Sequence, residues 1–183
     1  MDSSLFRQET RQERHKKKKT SAVTYPISIA TTNFCCDENI GYVIRSAGCF
    51  GCKDVHVIGS LPTHSFLRAK SGTLIDHVRI IQHSNPHSLL EYARQHNVQL
   101  VSAELHEKSV DIAEYRYDFD KETCIVLGNE NFGVPEEIIH NSDVVKIPMP
   151  GVGFCLNTAQ TGNILLFDYI QRYNAEMKLR KTN

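Results

Sequence analysis

Three polar segments carry the side chains whose types and spacing suit chemistry. The first, residues 37–51 (DENIGYVIRSAGCFG), holds Asn39 and, six positions on, Arg45. A helix starting near Asn39 puts these two on different faces, with Asn39 in the first turn. Asn39 alone reads as an ordinary cap. Arg45 sits in the otherwise apolar run from Val43 to Ala47, and an arginine buried there needs a carboxylate or phosphate partner. The second segment, residues 125–138 (IVLGNENFGVPEEI), leaves an apolar run at Leu127 for Gly128, Asn129, Glu130 and Gly133. Its two glycines let backbone N–H and C=O groups approach a ligand closely, although glycines at a strand end also simply turn the chain. The third, residues 145–169, is a strand, then Pro148, Pro150, Gly151 and Gly153, then Leu156 and Asn157 opening a helix. Asn157 alone reads as an N-cap.

The elements that must position these segments begin at Pro26. Strands are expected at 27–31, 55–58, 78–81, 98–103, 124–127 and 144–147. Helices are expected at 40–50, 64–70, 88–96, 135–140 and 157–173, the fourth opening at Pro135. Ile40, Val43, Ile44 and Ala47 keep helical spacing, and Gly51 lies where that helix should stop. Strands alternating with helices predict a parallel sheet covered on both faces. Ligands bind such sheets beyond the carboxyl ends of the strands, where all three polar segments fall.

Composition narrows the class. The chain has 183 residues, 40% hydrophobic and 23% charged, which suits one domain with a tail. Its net charge of zero is unevenly spread. Residues 1–20 hold seven Lys/Arg (Arg7, Arg11, Arg14 and Lys16, Lys17, Lys18, Lys19) and three acids, a net +4, which leaves −4 for the rest. This tail, lacking apolar periodicity, is expected to be flexible; a basic arm on a near-neutral body meets an anionic partner at one end, or simply solubilises a terminus. No apolar stretch follows the early charges as in a signal peptide, and no run is long enough for a membrane helix. The six cysteines mostly lie in apolar runs and read as reduced thiols of a cytoplasmic protein. Cys49 and Cys52, near Cys35 and Cys36, have metal or redox spacing, but they straddle the expected helix end, where small buried thiols are the simpler account. His64, His77, His83, His87, His96, His106 and His140 lie mostly in polar surroundings and are expected to be exposed. A nucleotide-binding Rossmann domain lacks its G-x-G-x-x-G after the first strand.

Taken in order, the three segments resemble those of the SPOUT superfamily, specifically its SpoU/TrmH-like branch of tRNA and rRNA ribose 2′-O-methyltransferases. Asn39 with Arg45, LGNE with Gly133, and IPMPG followed by Leu156 and Asn157 match that branch's three motifs, over about residues 26–173. The resemblance implies an α/β domain over 21–183, a parallel sheet flanked by helices with a C-terminal deep trefoil knot, residues 124–160 being threaded through a loop. It implies S-adenosylmethionine as cofactor, held by Leu127, Gly128, Asn129, Gly133, Ile147, Pro148, Met149 and Leu156, with no metal. Arg45, Asn39, Glu130 and Asn157 are the implied catalytic residues. It also implies a homodimer in which helices near 40–50 and 157–173 pack across the interface and Arg45 faces the partner's cofactor. The substrate would be RNA, tRNA or rRNA.

A guanidinium keeps its proton, which makes Arg45 better suited to stabilising a forming alkoxide, together with a phosphate contact, than to abstracting a proton. Glu130 would hold Arg45 or orient the substrate. Lys53, Arg68, Lys70, Arg79 and Lys146 are candidate RNA contacts in the body, with residues 16–19 as the phosphate-binding reserve. Cys155 stands where many relatives carry Ser and is a weaker hydrogen-bonding group. Gln160 is bulky and polar where the relatives carry small residues, at the implied dimer seam. The other class of reading is a catalytically silent RNA-binding protein of this fold, favoured by Cys155 and opposed by Asn39 and Arg45.

Overall fold

The computed structural model describes residues 11–182. The basic stretch, expected to lack regular structure, carries helix α1 (Arg11–Thr20). Its Arg, Gln, Glu and Lys residues are strong helix formers, with Glu13 in the first turn and lysines in the last, so propensity and dipole complementarity act where no apolar pattern exists. Arg7 and the rest of 1–10 lie outside the described residues.

From Pro26 the alternation holds. The elements are β1 (Ile27–Thr32), α2 (Asp37–Phe50), β2 (Asp54–Ile58), α3 (His64–Ser71), β3 (Arg79–His83), α4 (Pro86–His96), β4 (Val98–Ala103), β5 (Val110–Asp111), β6 (Glu122–Leu127), α5 (Glu136–Ile139), β7 (Asp143–Lys146) and α6 (Thr158–Thr182). A 3₁₀ turn (Gly72–His77) and the two-residue β5 were not expected; both are too short for a periodic signal. α6 runs nine residues past its expected end, because its last turns are polar. α2 starts three residues earlier than expected and ends at Gly51, whose φ of 70° is left-handed.

The seven strands lie in the order β3-β2-β1-β6-β4-β7-β5, all parallel. The chain winds outward through β1, β2 and β3, and then β6 inserts between β1 and β4 and β7 between β4 and β5. Alternate residues of β6 serve two cores. Ile125 and Leu127 pack with Ile29, Val43, Ile44 and Leu165 under α2 and α6. Cys124 and Val126 pack with Leu89, Leu100 and Ile138 under α4 and α5. Gly162 lets α6 sit on the sheet, since a Cβ there would lie 3.0 Å from Leu127 Cδ1 and 3.1 Å from Ile29 Cδ1. Among the described residues, no helix is long and apolar enough to cross a membrane.

Two expectations about side chains need correction. Cys52 and Cys124 are buried, but Cys35, Cys36, Cys49 and Cys155 are exposed, and all six are free. Cys49 is on the outer face of α2, a matter of helical phase. His83 is buried rather than exposed, because the next strand over supplies its partner. His56 Nδ1 lies 2.9 Å from His83 Nε2, and Tyr92 packs edge-on to both rings.

Burial is the main reason that both imidazoles are held neutral, His56 down to about 4, with the neighbouring His83 next and Asp54, Arg79 and Lys53 as lesser influences on His56. The unfolded chain therefore takes up protons that the folded chain refuses between pH 6.5 and about 4. Stability is fully present above that window and falls as the pH drops through it, by on the order of 3 kcal/mol for His56. Thermal unfolding measured from pH 7.5 to 4.5 is expected to show this loss, and a His56→Phe variant a flatter profile; equal slopes in the two proteins would contradict the assignment.

Candidate active site

The carboxyl ends of β4, β6 and β7 bound a cavity of about 520 Å³, closed on one side by the start of α6. Its wall is the peptide chain after Leu127, after Val145 and from Phe154 to Thr158, with Leu165 at its floor. Of the residues expected to hold a cofactor, Leu127, Gly128, Asn129, Gly133, Ile147, Met149 and Leu156 line it; Pro148 does not.

The second segment folds into a five-residue turn. Asn129 N donates to Gly133 O at 2.9 Å and Gly133 N to Asn129 O at 3.0 Å. The side chain of Asn129 fills the turn, its Oδ1 accepting from Asn131 N (2.8 Å) and Phe132 N (3.1 Å). Its Nδ2 donates to Asn33 O, tying the turn to the loop after β1. Gly133 has φ 71°, and a Cβ there would run into Glu104 Oε2. Glu104, from the end of β4, accepts from Val134 N at 2.8 Å and braces the turn from the other side. It lines the cavity and was not anticipated, since a lone Glu after a strand is no signal in sequence.

Glu130, on this turn, binds the third and first segments together. It accepts from Cys35 N (2.7 Å), Cys36 N (3.3 Å) and Asn39 Nδ2 (2.6 Å). Asn39 Oδ1 in turn accepts from Asn157 Nδ2 at 3.1 Å. Asn157 also caps α6, its Oδ1 accepting from Ala159 N at 2.9 Å, so the capping and site readings both hold. Asn39 does not cap: α2 begins at Asp37, and Asn39, 4% exposed, turns its amide into this network. Burial raises the Glu130 carboxyl, and the hydrogen bonds from Asn39 and the two amides outweigh it, leaving the group below its ordinary value. It is an ionised acceptor at neutral pH, suited to holding donors in place.

Arg45 does not join this network. It is exposed on the outer face of α2, and its side chain makes no hydrogen bond or ion pair among the described residues. The expected buried arginine is thus corrected, and Glu130 holds Asn39 rather than Arg45. Four of the five body cations expected to meet RNA are paired within the chain. Arg79 donates to Asp54 (2.6 Å) and Lys53 to Glu122 (2.7 Å) at the amino ends of the strands, opposite the cavity, while Arg68 meets Asp76 (2.7 Å) and Lys70 meets Glu38 (3.6 Å). Lys146 is exposed on the cavity wall. Cys155 lines the cavity as an exposed thiol. No cluster of three metal-ligating side chains occurs among the described residues.

The close approach of the turn to itself is testable without any ligand. A Cβ at Gly128 would sit 2.6 Å from Gly133 C and 2.7 Å from Val134 N, whereas one at Gly151 meets nothing within 4 Å. In urea unfolding, Gly128→Ala is expected to cost about 2 kcal/mol or more and Gly151→Ala well under 1. Equal effects would show that the turn is not packed as described.

Comparison with known proteins places this geometry. The tRNA (guanosine(18)-2′-O)-methyltransferase of Escherichia coli (strain K12) is 25% identical over 148 residues, 80% of this chain. The chain spans 64% of that relative's length. An AdoMet-bound rRNA methyltransferase from Sinorhizobium meliloti superposes with a TM-score of 0.73 at 24% identity, over 82% of this chain and 58% of that one. The A. aeolicus TrmH/SpoU tRNA modifying enzyme gives 0.73 at 22% identity, over 91% of this chain and 85% of that one. At these identities the two structures share the fold. The SpoU rRNA Methylase family matches residues 26–167, which contain every strand of the sheet and the whole cavity wall, and the chain belongs to that family.

Proposed function

We propose that this chain is an S-adenosylmethionine-dependent RNA ribose 2′-O-methyltransferase of the cytoplasm, acting on tRNA or rRNA as a homodimer. In this reading 21–183 is the methyltransferase domain, its segment 124–160 threaded as a deep trefoil knot, and the lysines 16–19 of α1 are a basic arm for phosphates. The observation that carries it is the hydrogen-bonded chain from Asn157 through Asn39 to Glu130, which joins all three segments beside one cavity.

The cavity fits the cofactor. Its volume is in the range of about 300–1,000 Å³ usual for small-molecule sites. Ile147 and Leu156 offer apolar surface for an adenine, and Gly128 and Gly133 bring the backbone close. Glu104 and Glu130 put negative charge on the wall of the cavity, which would favour a cationic cofactor. When bound, the cofactor supplies an electrophilic methyl group. The chain's part is to align a ribose hydroxyl with that methyl and to stabilise the oxyanion as its proton leaves. In this reading Asn157, on the cavity wall, fixes the ribose, Asn39 acts from behind by holding Asn157 and Glu130, and Lys146 meets a phosphate.

Arg45 is available to a second copy. It shares its helix face with the exposed Tyr42, and the packed α6 exposes Ile164 and, 55% accessible, Phe167. Apolar side chains beside an unpartnered guanidinium support a dimer seam that delivers Arg45 to the other protomer's cavity. Gln160 is exposed near this seam.

With tritiated S-adenosylmethionine and separate unmodified tRNA and rRNA, label is expected on ribose. Arg45→Ala should lower the rate by about 10²–10³-fold with cofactor affinity retained in calorimetry. Label on a base would refute the ribose assignment, and cofactor binding without label in any RNA would favour the silent binder. In sedimentation the wild type is expected to be a dimer and Phe167→Glu a monomer without transfer activity; an active monomer would refute the shared site.

A further inference from the structure

Phe132 is 87% exposed, at the tip of the turn that also carries Glu130. Its ring makes no aromatic contact among the described residues. Its backbone is nonetheless tightly held. Asn129 Oδ1 takes its N–H, the paired bonds between Asn129 and Gly133 close the turn around it, and Glu104 anchors Val134 just beyond. A large ring kept in water on a stiff turn forgoes the burial that usually stabilises an aromatic side chain.

The surroundings select the partner. Asn129, Asn131 and Glu130 flank the ring in the chain, and Asn131 Nδ2 reaches Cys35 Sγ at 3.4 Å. A protein partner covers a larger apolar surface than one ring supplies. A ring flanked by amides, with the exposed Phe154 on the wall of the neighbouring cavity, suits a flat group with apolar faces and hydrogen-bonding edges, which is a nucleobase. The turn's position fits: Glu130, two residues away, belongs to the network beside the cavity. A ribose hydroxyl brought to that cavity carries its base with it, and a base taken out of its stack needs a new face to rest on.

We infer that Phe132 is a substrate-positioning residue, the platform on which the unstacked nucleobase of the methylated nucleotide is held. This rests on the methyltransferase reading above. It gives the turn two tasks, with Glu130 ordering the protein side of the site and Phe132 ordering the RNA.

The chain contains no tryptophan, so Phe132→Trp installs a single indole, excited selectively at the red edge where the tyrosines do not absorb. Titration with unmodified tRNA transcripts is expected to quench its emission saturably. In steady state Phe132→Ala and Phe132→Leu are expected to raise KM for RNA about tenfold, with kcat changed less and cofactor affinity unchanged, while Phe132→Tyr and Phe132→Trp stay near wild type. A fully active Phe132→Leu, or an indole unquenched at saturating RNA, would overturn the inference. So would emission that shifts to the blue with protein concentration in the absence of RNA, which would assign the ring to a protein contact. If the wild type labels no RNA, the methyltransferase reading fails, and quenching alone still decides whether a base stacks here.

Discussion

The carboxylate of Glu130 holds together three stretches of chain that lie far apart in sequence. It accepts from two amides before α2, from Asn39 in the first turn of α2, and through Asn39 it is linked to the cap of α6. The amides before and within the first turn of a helix have no partner in that helix, so an anion there satisfies donors that would otherwise be left to water. Removing the charge would release all of these at once. The ordering of the loops around the cavity therefore depends on one side chain whose own ionisation is secured by the donors it collects.

The strand order makes this meeting possible. β6 lies between β1 and β4, so the turn after β6 has the loop after β1 on one side and the end of β4 on the other. Asn129 reaches the first through Asn33, and Glu104 reaches in from the second to Val134. The turn is tight enough that neither Gly128 nor Gly133 has room for a Cβ. Threonine hydroxyls complete the bracing, Thr32 donating to Leu127 O at 2.8 Å and Thr158 to Gly128 O at 3.1 Å. The cavity wall is thus backbone whose orientation is set from β1, β4 and α6 together.

The two ends of the sheet have different chemistry. At the amino ends of the strands, Asp54 is buried and accepts from Arg79 Nε and Nη2 at 2.6 Å each, and Lys53 meets Glu122. Their charges are spent on each other, a structural role. At the carboxyl ends, Asn157 is held in place on the cavity wall, while Lys146 and the rings of Phe132 and Phe154 are exposed. A parallel sheet directs its loops this way, since every strand that enters from one end must deliver its following loop at the other.

Local pattern was enough to place the main strands and helices from β1 onward, because apolar spacing of two or of three to four residues survives in 27–31, 40–50 and 124–127, and Gly51 marks its helix end. It also brought the three polar segments to one edge. It missed α1, which rests on propensity, and β5, which two residues cannot announce. It misjudged what depends on neighbours distant in the chain. Arg45 looked buried because its sequence neighbours are, yet helical phase turns it outward. His83 looked exposed, yet His56 on the adjacent strand covers it. Asn39 looked like a cap, yet its partner is Glu130, 91 residues on. Glu104 gave no signal at all, since its role exists only once β6 lies beside β4. Residue types and periodicity determine which elements form and which side chains are available; partners across the sheet are decided only by the order in which the strands assemble, because a hydrogen bond is specified by position in space and not by separation along the chain.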